Sequence, residues 1–498
     1  MNKHCLKVQS RLFSDCTFIF CRLYHDTLRD FVKSYIIIAD YDCRMINEYE
    51  IEVPMMMLNG EEVYILPYEK EADKRLLYSP IRGFVELIDQ KDAFAIENSI
   101  NNCKINIQHI GSIDQLMEAM IETPVKDLNM FQNGFPSLNI DLTTGCNLRC
   151  VYCYAGRGAA CVTYQKEENI DQIIATYFQY LHQQPEYHSN SVCPIVFSND
   201  AEPTYSPELL QYTVSRIKEK ASEYYLKPQF YMPTNGAFRH DLCNFIIDHF
   251  YGVSISFDGL EKIQNQQRPY VNGSPSYERV YRNAKSLYNS NLKIGFNIVV
   301  TANNLDNMRE TVDYFDQHFP GAAISFSPVN LSGRALIEKA ELMIDYTEYQ
   351  SKLMECLDYA QTTTIRVNDK NYWSYHHPRR HYCSSTAKPN WNVNLEGEIF
   401  ACMESKEEAM RIGRIDFNSG ELSLDDKHIQ SLRTYTVDQK CNCRDCFAKY
   451  LCVGGCKIRA LSQGKECDRI RLKCVRLINH AYEEEQMFKT GQALFRIN

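Results

Sequence analysis

The chain has 498 residues, of which 44% are hydrophobic, 12% aromatic and 23% charged. This is a globular composition that excludes disordered and collagen-like classes and gives room for two or three domains with full cores. Its formal charge of −9, from 54 Lys and Arg against 63 Asp and Glu, argues against non-specific nucleic-acid binding, which wants a basic surface. The outlying number is 21 cysteines. The first thirty residues hold charges at Lys3, Arg11, Asp15, Arg22, Asp26 and Arg29 and no apolar run long enough for a secretory signal. No run of about 18 apolar residues suggests a membrane span. The expectation is a cytoplasmic protein with reduced thiols, whose clustered cysteines bind metal rather than pair as disulfides.

Taken in chain order, residues 1–134 read as an N-terminal α+β domain, with strand-like runs at 35–39, 62–66 and 83–87 and a helix beginning after Asp89. From 135 to 345, short apolar runs alternate with amphipathic stretches. The runs lie at 138–142, 194–197, 229–232, 253–257, 294–300 and 322–326, and the helical stretches include 173–181, 207–224, 277–288 and 304–315. Six βα units in series predict a parallel sheet, because each crossover returns the chain in the same direction. Six fall short of the eight of a closed barrel, so the expected fold is α/β, a partial (β/α)6 TIM-like barrel. A bridging region at 346–380, a cysteine-rich domain at 381–480 and a C-terminal helix or tail at 481–498 complete the division.

Cys146, Cys150 and Cys153 follow the first barrel strand in the segment Gly145-Cys146-Asn147-Leu148-Arg149-Cys150-Val151-Tyr152-Cys153. Three thiolates spaced C-x3-C-x2-C can wrap one [4Fe–4S] cubane and leave its fourth iron open, where four cysteines are usual. A zinc site with a distant fourth ligand is the alternative. The spacing, the aromatic Tyr152 before the third cysteine, and the place at a strand's carboxyl end together resemble the radical S-adenosylmethionine (SAM) superfamily. In that family the free iron chelates SAM, and one electron releases a 5′-deoxyadenosyl radical. Further segments are similar to the family's later motifs. These are Asp200-Ala201-Glu202-Pro203 without the usual paired glycines, Thr234-Asn235-Gly236, Ser256-Phe257-Asp258-Gly259, and Arg268 ahead of Asn272-Gly273-Ser274. The resemblance implies that Asp200, Ala201, Glu202 and Pro203 shape the site of the SAM amino group. It likewise implies that Ser256 and Arg268 approach the carboxylate, and that Asn235 and Asp258 lie near the ribose.

The second constellation runs Cys383, Gly397, Cys402, then Cys443-x2-Cys446-x5-Cys452-x3-Cys456, then Cys474. A zinc ribbon would account for part of it. The full spacing resembles the seven-cysteine SPASM extension, which implies two auxiliary [4Fe–4S] clusters: one on Cys383, Cys402 and Cys456, the other on Cys443, Cys446, Cys452 and Cys474. Cys441 and Cys467 stand as possible spare ligands. With the cluster on Cys146, Cys150 and Cys153, three [4Fe–4S] clusters and SAM are the expected cofactors, and the remaining isolated cysteines are taken as buried thiols.

SPASM enzymes mostly modify peptides or proteins. The reading is a radical SAM/SPASM peptide maturase that crosslinks or otherwise oxidises side chains of a ribosomally made peptide. Residues 1–134 would either dock the precursor's leader on a sheet edge or simply cap the barrel, and a flavodoxin or ferredoxin would act as reductant. The alternative within the class is an anaerobic sulfatase-type maturase making formylglycine. Its usual aspartate after the second cysteine of the extension is Met403 here, with Glu404 a poor substitute. The alternative of another class is a non-catalytic, metal-stapled binding protein.

Overall fold

The computed structural model describes residues 53, 55–58, 61–101, 111–156, 161–197, 201–330, 332–337, 339–458 and 467–489. The expected strand at 35–39 lies outside them, as do Cys5, Cys16, Cys21, Cys43, Cys103 and Asp200. The chain divides into two compact units: Met1–Lys126 with Asp445–Tyr450 and Ala481–Asn498, and Asp127–Arg444 with Leu451–His480.

In the first unit four antiparallel strands follow one another in order: β1 (Met55–Leu58), β2 (Glu61–Pro67), β3 (Lys74–Ser79) and β4 (Phe84–Asp89). Helices Gln90–Asn101 and Gly111–Glu122 follow. Period-two alternation places Val63, Ile65, Leu77 and Ile88 on one face, where they pack with Ala93 and Met120 from the helices. The two later segments are tied in by side chains. Lys449, only 5% exposed, pairs with Glu62, Phe447 meets the edge of Tyr64, and Glu483 accepts from Lys70.

The second unit is built on an 11-stranded sheet. In chain order its strands are β5 (Leu138–Ile140), β6 (Val192–Val196), β7 (Lys227–Thr234), β8 (Gly252–Ser256), β9 (Lys293–Val300), β10 (Ala323–Pro328), β11 (Arg366–Asn368), β12 (Trp391–Val393), β13 (Glu398–Phe400), β14 (Arg411–Ile415) and β15 (Leu422–Leu424). Their spatial order is β11-β10-β9-β8-β7-β6-β5-β12-β13-β14-β15. β5 to β11 are parallel neighbours in sequence order, with crossovers through helices such as Glu167–His182, Pro207–Glu223, Tyr277–Tyr288 and Met308–His318. All six expected barrel strands are present. A seventh, β11, was not foreseen, because its three residues lie in the segment read as a bridge.

β12 adds in parallel to the free edge of β5. An eighth parallel strand could close a barrel by pairing with β11. Instead the outer edge of β12 is taken by β13, antiparallel, and the sheet stays open. Its helix-side face is apolar, with Phe230, Ile255, Phe296 and Ile298 buried. The opposite face is polar. One register row across four strands reads Ser256, Asn297, Ser325 and Asn368. Parallel sheets are normally apolar on both sides, so this face lines something other than a packed core.

Among the described residues no helix is long and apolar enough to cross a membrane.

Candidate active site

The loop after β5 carries Cys146, Cys150 and Cys153, and backbone bonds fasten it on two sides. Arg149 N donates to Pro269 O at 2.8 Å, Val151 N to Gln267 O at 2.9 Å, and Val271 N to Asn147 O at 3.1 Å. On the other side Arg334 N donates to Cys153 O at 2.9 Å, and its guanidinium donates to Cys150 O and Gly156 O. Gly333 makes that approach possible: its φ is +53°, and a Cβ there would lie 2.1 Å from Tyr154 O. Gly333 and Arg334 escaped the sequence reading; the signal was a Gly-Arg pair just past the sixth barrel strand.

All three thiols are half-buried, and they influence one another electrostatically. Burial pushes the Cys150 thiol up to about 11, opposed by the charges of Arg268 and Arg334. Burial and Glu202 both raise Cys146. Ligation must therefore strip these protons, and two guanidiniums beside Cys150 suit an anionic, thiolate-held group.

Glu202, 4% exposed, folds into the turn after β6. Its Oε1 accepts from Thr204 N at 3.2 Å, Thr204 Oγ1 at 2.5 Å and Thr234 Oγ1 at 2.6 Å, while Oε2 accepts from Asn235 N at 2.7 Å. Burial raises its pKa against the pull of these bonds. Pro203 opens the short helix Pro203–Tyr205 that Glu202 caps, and Ala201 just before it is half-buried. Asn235 donates to Asn147 Oδ1 at 2.8 Å and lies 3.7 Å from Cys146 Sγ. Gly236 follows at φ +72°.

Asp258 and Arg268 are brought together, and each occupies the other. Arg268 Nε donates to Asp258 Oδ2 at 2.9 Å and Nη2 to Oδ1 at 3.1 Å. Tyr152 OH, Gln267 Nε2 and Val299 N complete five donors to this fully buried carboxylate. The Arg268 guanidinium lies 5.2 Å from the centre of the Tyr152 ring. Burial pulls the Arg268 pKa down, but Asp258, Tyr152 and Cys150 outweigh it and hold it above its ordinary value. Asp258 and Arg268 thus form an internal ion pair beside Tyr152 of the cysteine loop. Ser256 is half-buried on the polar face of β8.

Beside this loop an open cleft of about 490 Å3 runs over Asn147, Thr204, Tyr205, Phe238, Tyr270 and Arg279.

In the cysteine-rich part, Cys402 lies beside Cys383 and Cys456 and is pushed up to about 11 by burial. The three line one cavity with Tyr435, Lys440 and Lys457. The gap is about 20 Å3, water-sized, so a cluster entering it has to spread the three thiols. Cys443 and Cys474 are buried and Cys452 half-buried. Val453, Gly454 and Gly455 all have positive φ, at +57°, +63° and +74°, a left-handed turn between Cys452 and Cys456. Among the described residues no three His, Cys, Asp or Glu converge on a single-ion site. Of the cysteines read as buried thiols, Cys193, Cys243 and Cys356 are buried, but Cys161 is exposed.

Residues 140–315 match the radical SAM superfamily. The chain carries a radical SAM domain over that segment. It is 26% identical over 285 residues to an uncharacterized protein of Methanocaldococcus jannaschii, covering 54% of this chain and 85% of that one. It is 22% identical over 325 residues to the serine-type anaerobic sulfatase-maturating enzyme of Klebsiella aerogenes, covering 62% of this chain and 76% of the other. Among solved structures, that of anSMEcpe with bound AdoMet and the Cp18Cys peptide superposes with a TM-score of 0.57 at 18% identity, covering 72% of this chain and 100% of the other. That likeness is one of fold.

Proposed function

We propose that the protein is a radical SAM/SPASM peptide maturase. The observation that carries this reading is the cysteine loop after β5, stapled between Gln267–Val271 and Arg334, beside a sheet face lined with polar side chains. Cys146, Cys150 and Cys153 are the residues that would hold the catalytic [4Fe–4S] cluster. When bound, that cluster supplies the electron that cleaves SAM to a 5′-deoxyadenosyl radical.

The chain's own residues have assignable tasks. Glu202 Oε1 accepts three bonds and Oε2 one, from Asn235 N, so Oε2 is the atom for the SAM ammonium, with Asp200, Ala201 and Pro203 shaping that turn. Asn235 fixes Asn147 and the Cys146 end of the loop. Tyr152, Asp258 and Arg268 fix the Cys150 end and act as positioning residues. Ser256, at the head of the row Ser256, Asn297, Ser325 and Asn368, offers polar contacts to SAM or to a polypeptide. A peptide main chain needs such donors and acceptors once water is excluded. The unclosed sheet gives a long substrate a way in.

Cys383, Cys402 and Cys456, and Cys443, Cys446, Cys452 and Cys474, are assigned to two auxiliary clusters. The net reaction is a two-electron oxidation of a peptide side chain. The precursor peptide is the partner, with its leader docked on residues 1–134, and the electron comes from a flavodoxin- or ferredoxin-type donor in the cytoplasm.

A second reading, formylglycine formation on a protein Cys or Ser, is favoured by the sulfatase-maturating relatives. It is disfavoured by Met403 at the position where an aspartate is expected.

Anaerobic reconstitution tests the common part. About 12 irons per chain and 5′-deoxyadenosine on reduction with SAM are expected, and bound zinc with no SAM cleavage would refute it. Mass spectrometry of a candidate peptide after co-expression separates a crosslink from a formylglycine.

A further inference from the structure

Arg379 is the most anomalous side chain in the second unit. It is 2% exposed, and its Nε and Nη2 have no hydrogen-bond partner among the described residues. Its guanidinium rests against two aromatic faces, 5.1 Å from the centre of Phe131 and 5.2 Å from that of Trp373. A guanidinium stays charged, and leaving it buried without an anion costs more than two cation–π contacts repay. No carboxylate is among the groups acting on its charge: they are Tyr382, Cys383 and Cys452.

Lys440 repeats the pattern a short distance along the chain. Its Nζ donates to the carbonyls of Val453, Gly454 and Gly455 at 3.0, 3.1 and 3.4 Å. Those carbonyls are turned inward by the left-handed turn, and a Cβ on Gly454 would strike the Lys440 side chain at 2.5 Å and Cys443 Sγ at 3.1 Å. The thiols acting on Lys440 are Cys443, Cys452, Cys456 and Cys383. These four are divided between the two proposed auxiliary clusters, and the ammonium makes no ion pair with a carboxylate among the described residues. Two cations, Arg379 buried and Lys440 half-buried, neither of them ion-paired with a carboxylate among the described residues, thus stand among thiols that are neutral until they bind metal.

We propose that Arg379 and Lys440 are fixed countercharges to the iron–sulfur clusters of the cysteine-rich region, and that they raise the clusters' reduction potential by favouring the more negative, reduced form. This rests on the cluster assignment above. The physics is that of any charge beside a cluster: its net charge and hydrogen bonding set the potential, and a cation in a low-dielectric site acts strongly. The carbonyl cradle holds the Lys440 ammonium still, and the Phe131 and Trp373 rings do the same for Arg379, so neither has to reorganise when the electron arrives.

The test is a redox titration followed by electron paramagnetic resonance. It uses the full chain, reconstituted anaerobically, in a background with Cys146, Cys150 and Cys153 changed to Ala so that only the auxiliary clusters report. Arg379→Gln is expected to lower the midpoint by at least a tenfold change in the reduction equilibrium, about 59 mV for one electron. Arg379→Lys is expected to restore most of it. Should Arg379→Gln fail to fold, Lys440→Gln reads the same quantity. If the variants keep about 8 irons per chain with an unmoved midpoint, the countercharge role is wrong while the clusters stand. If the background protein holds no iron, the cluster assignment itself fails, and this inference fails with it.

Discussion

Asp258 is a carboxylate taken entirely out of water, and the fold satisfies it with five donors, two of them from Arg268. Ion pairs this deep are seldom net stabilisers, because desolvation offsets the attraction, yet removing one partner strands the other. Replacing Arg268 with Met should therefore cost about 3–5 kcal/mol, read from the urea midpoint at constant slope. Replacing both, as Arg268→Met with Asp258→Leu, should recover most of that stability. It should not recover SAM cleavage, because Tyr152 and Gln267 lose the carboxylate that aligns the Cys150 end of the loop. A double variant with normal 5′-deoxyadenosine yield would show that the pair serves stability alone. The sequence put both residues at the site through the motifs that follow β8. It gave no sign that they pair, since ten positions separate them across a helix and a strand end.

At the scale of elements, the informative joint is β12 against β5. Asn139 on β5 and Asn392 on β12 are both 1% exposed and share a hydrogen bond of 3.2 Å, and Asn392 Nδ2 also donates to Phe400 O at 2.7 Å. Substituting Asn392 by Ala leaves a buried carboxamide and a carbonyl short of partners, for a cost of about 1–3 kcal/mol. The unfolding midpoint would report it, and a change under about 0.5 kcal/mol, the usual range for surface substitutions, would mean that water enters the seam. The six strands from β5 to β10 were legible because each is an apolar run with a helix after it. β11 was not, since three residues are too few to show a period, and neither was the addition of β12 to the edge of β5. Neither was the barrel's failure to close, which depends on β13 taking the edge of β12. In the first unit, β1 and β3 were missed while β2, β4 and the helix after Asp89 were found. β3 begins with Lys74 and Arg75, which weaken an alternating pattern.

At the scale of the whole molecule, chemistry is concentrated at the cysteines, and their spacing was the clearest signal in the sequence. The fold brings Cys146, Cys150 and Cys153 into one loop, and Cys383, Cys402 and Cys456 to one cavity. What spacing could not reveal is the charge around them. Arg334 reaches the cysteine loop through tertiary contacts, and an isolated basic residue such as Arg379 or Lys440 carries no pattern. The grouping of Asp445–Tyr450 with the N-terminal strands was equally hidden, because Phe447 and Lys449 look like ordinary residues of a cysteine-rich turn. The separate placing of the two thiol groups predicts separable losses. Changing Cys146, Cys150 and Cys153 to Ala should remove about 4 of about 12 irons and all SAM cleavage, while the protein stays folded, because that loop's backbone bonds to Gln267–Val271 and Arg334 do not need the thiols. Changing Cys443 and Cys446 to Ala should also lower the iron count but leave 5′-deoxyadenosine formation measurable, while peptide modification stops. Iron analysis, 5′-deoxyadenosine chromatography and peptide mass spectrometry on the same preparations decide it. Full peptide modification by the Cys443 and Cys446 variant would mean that those cysteines are structural only.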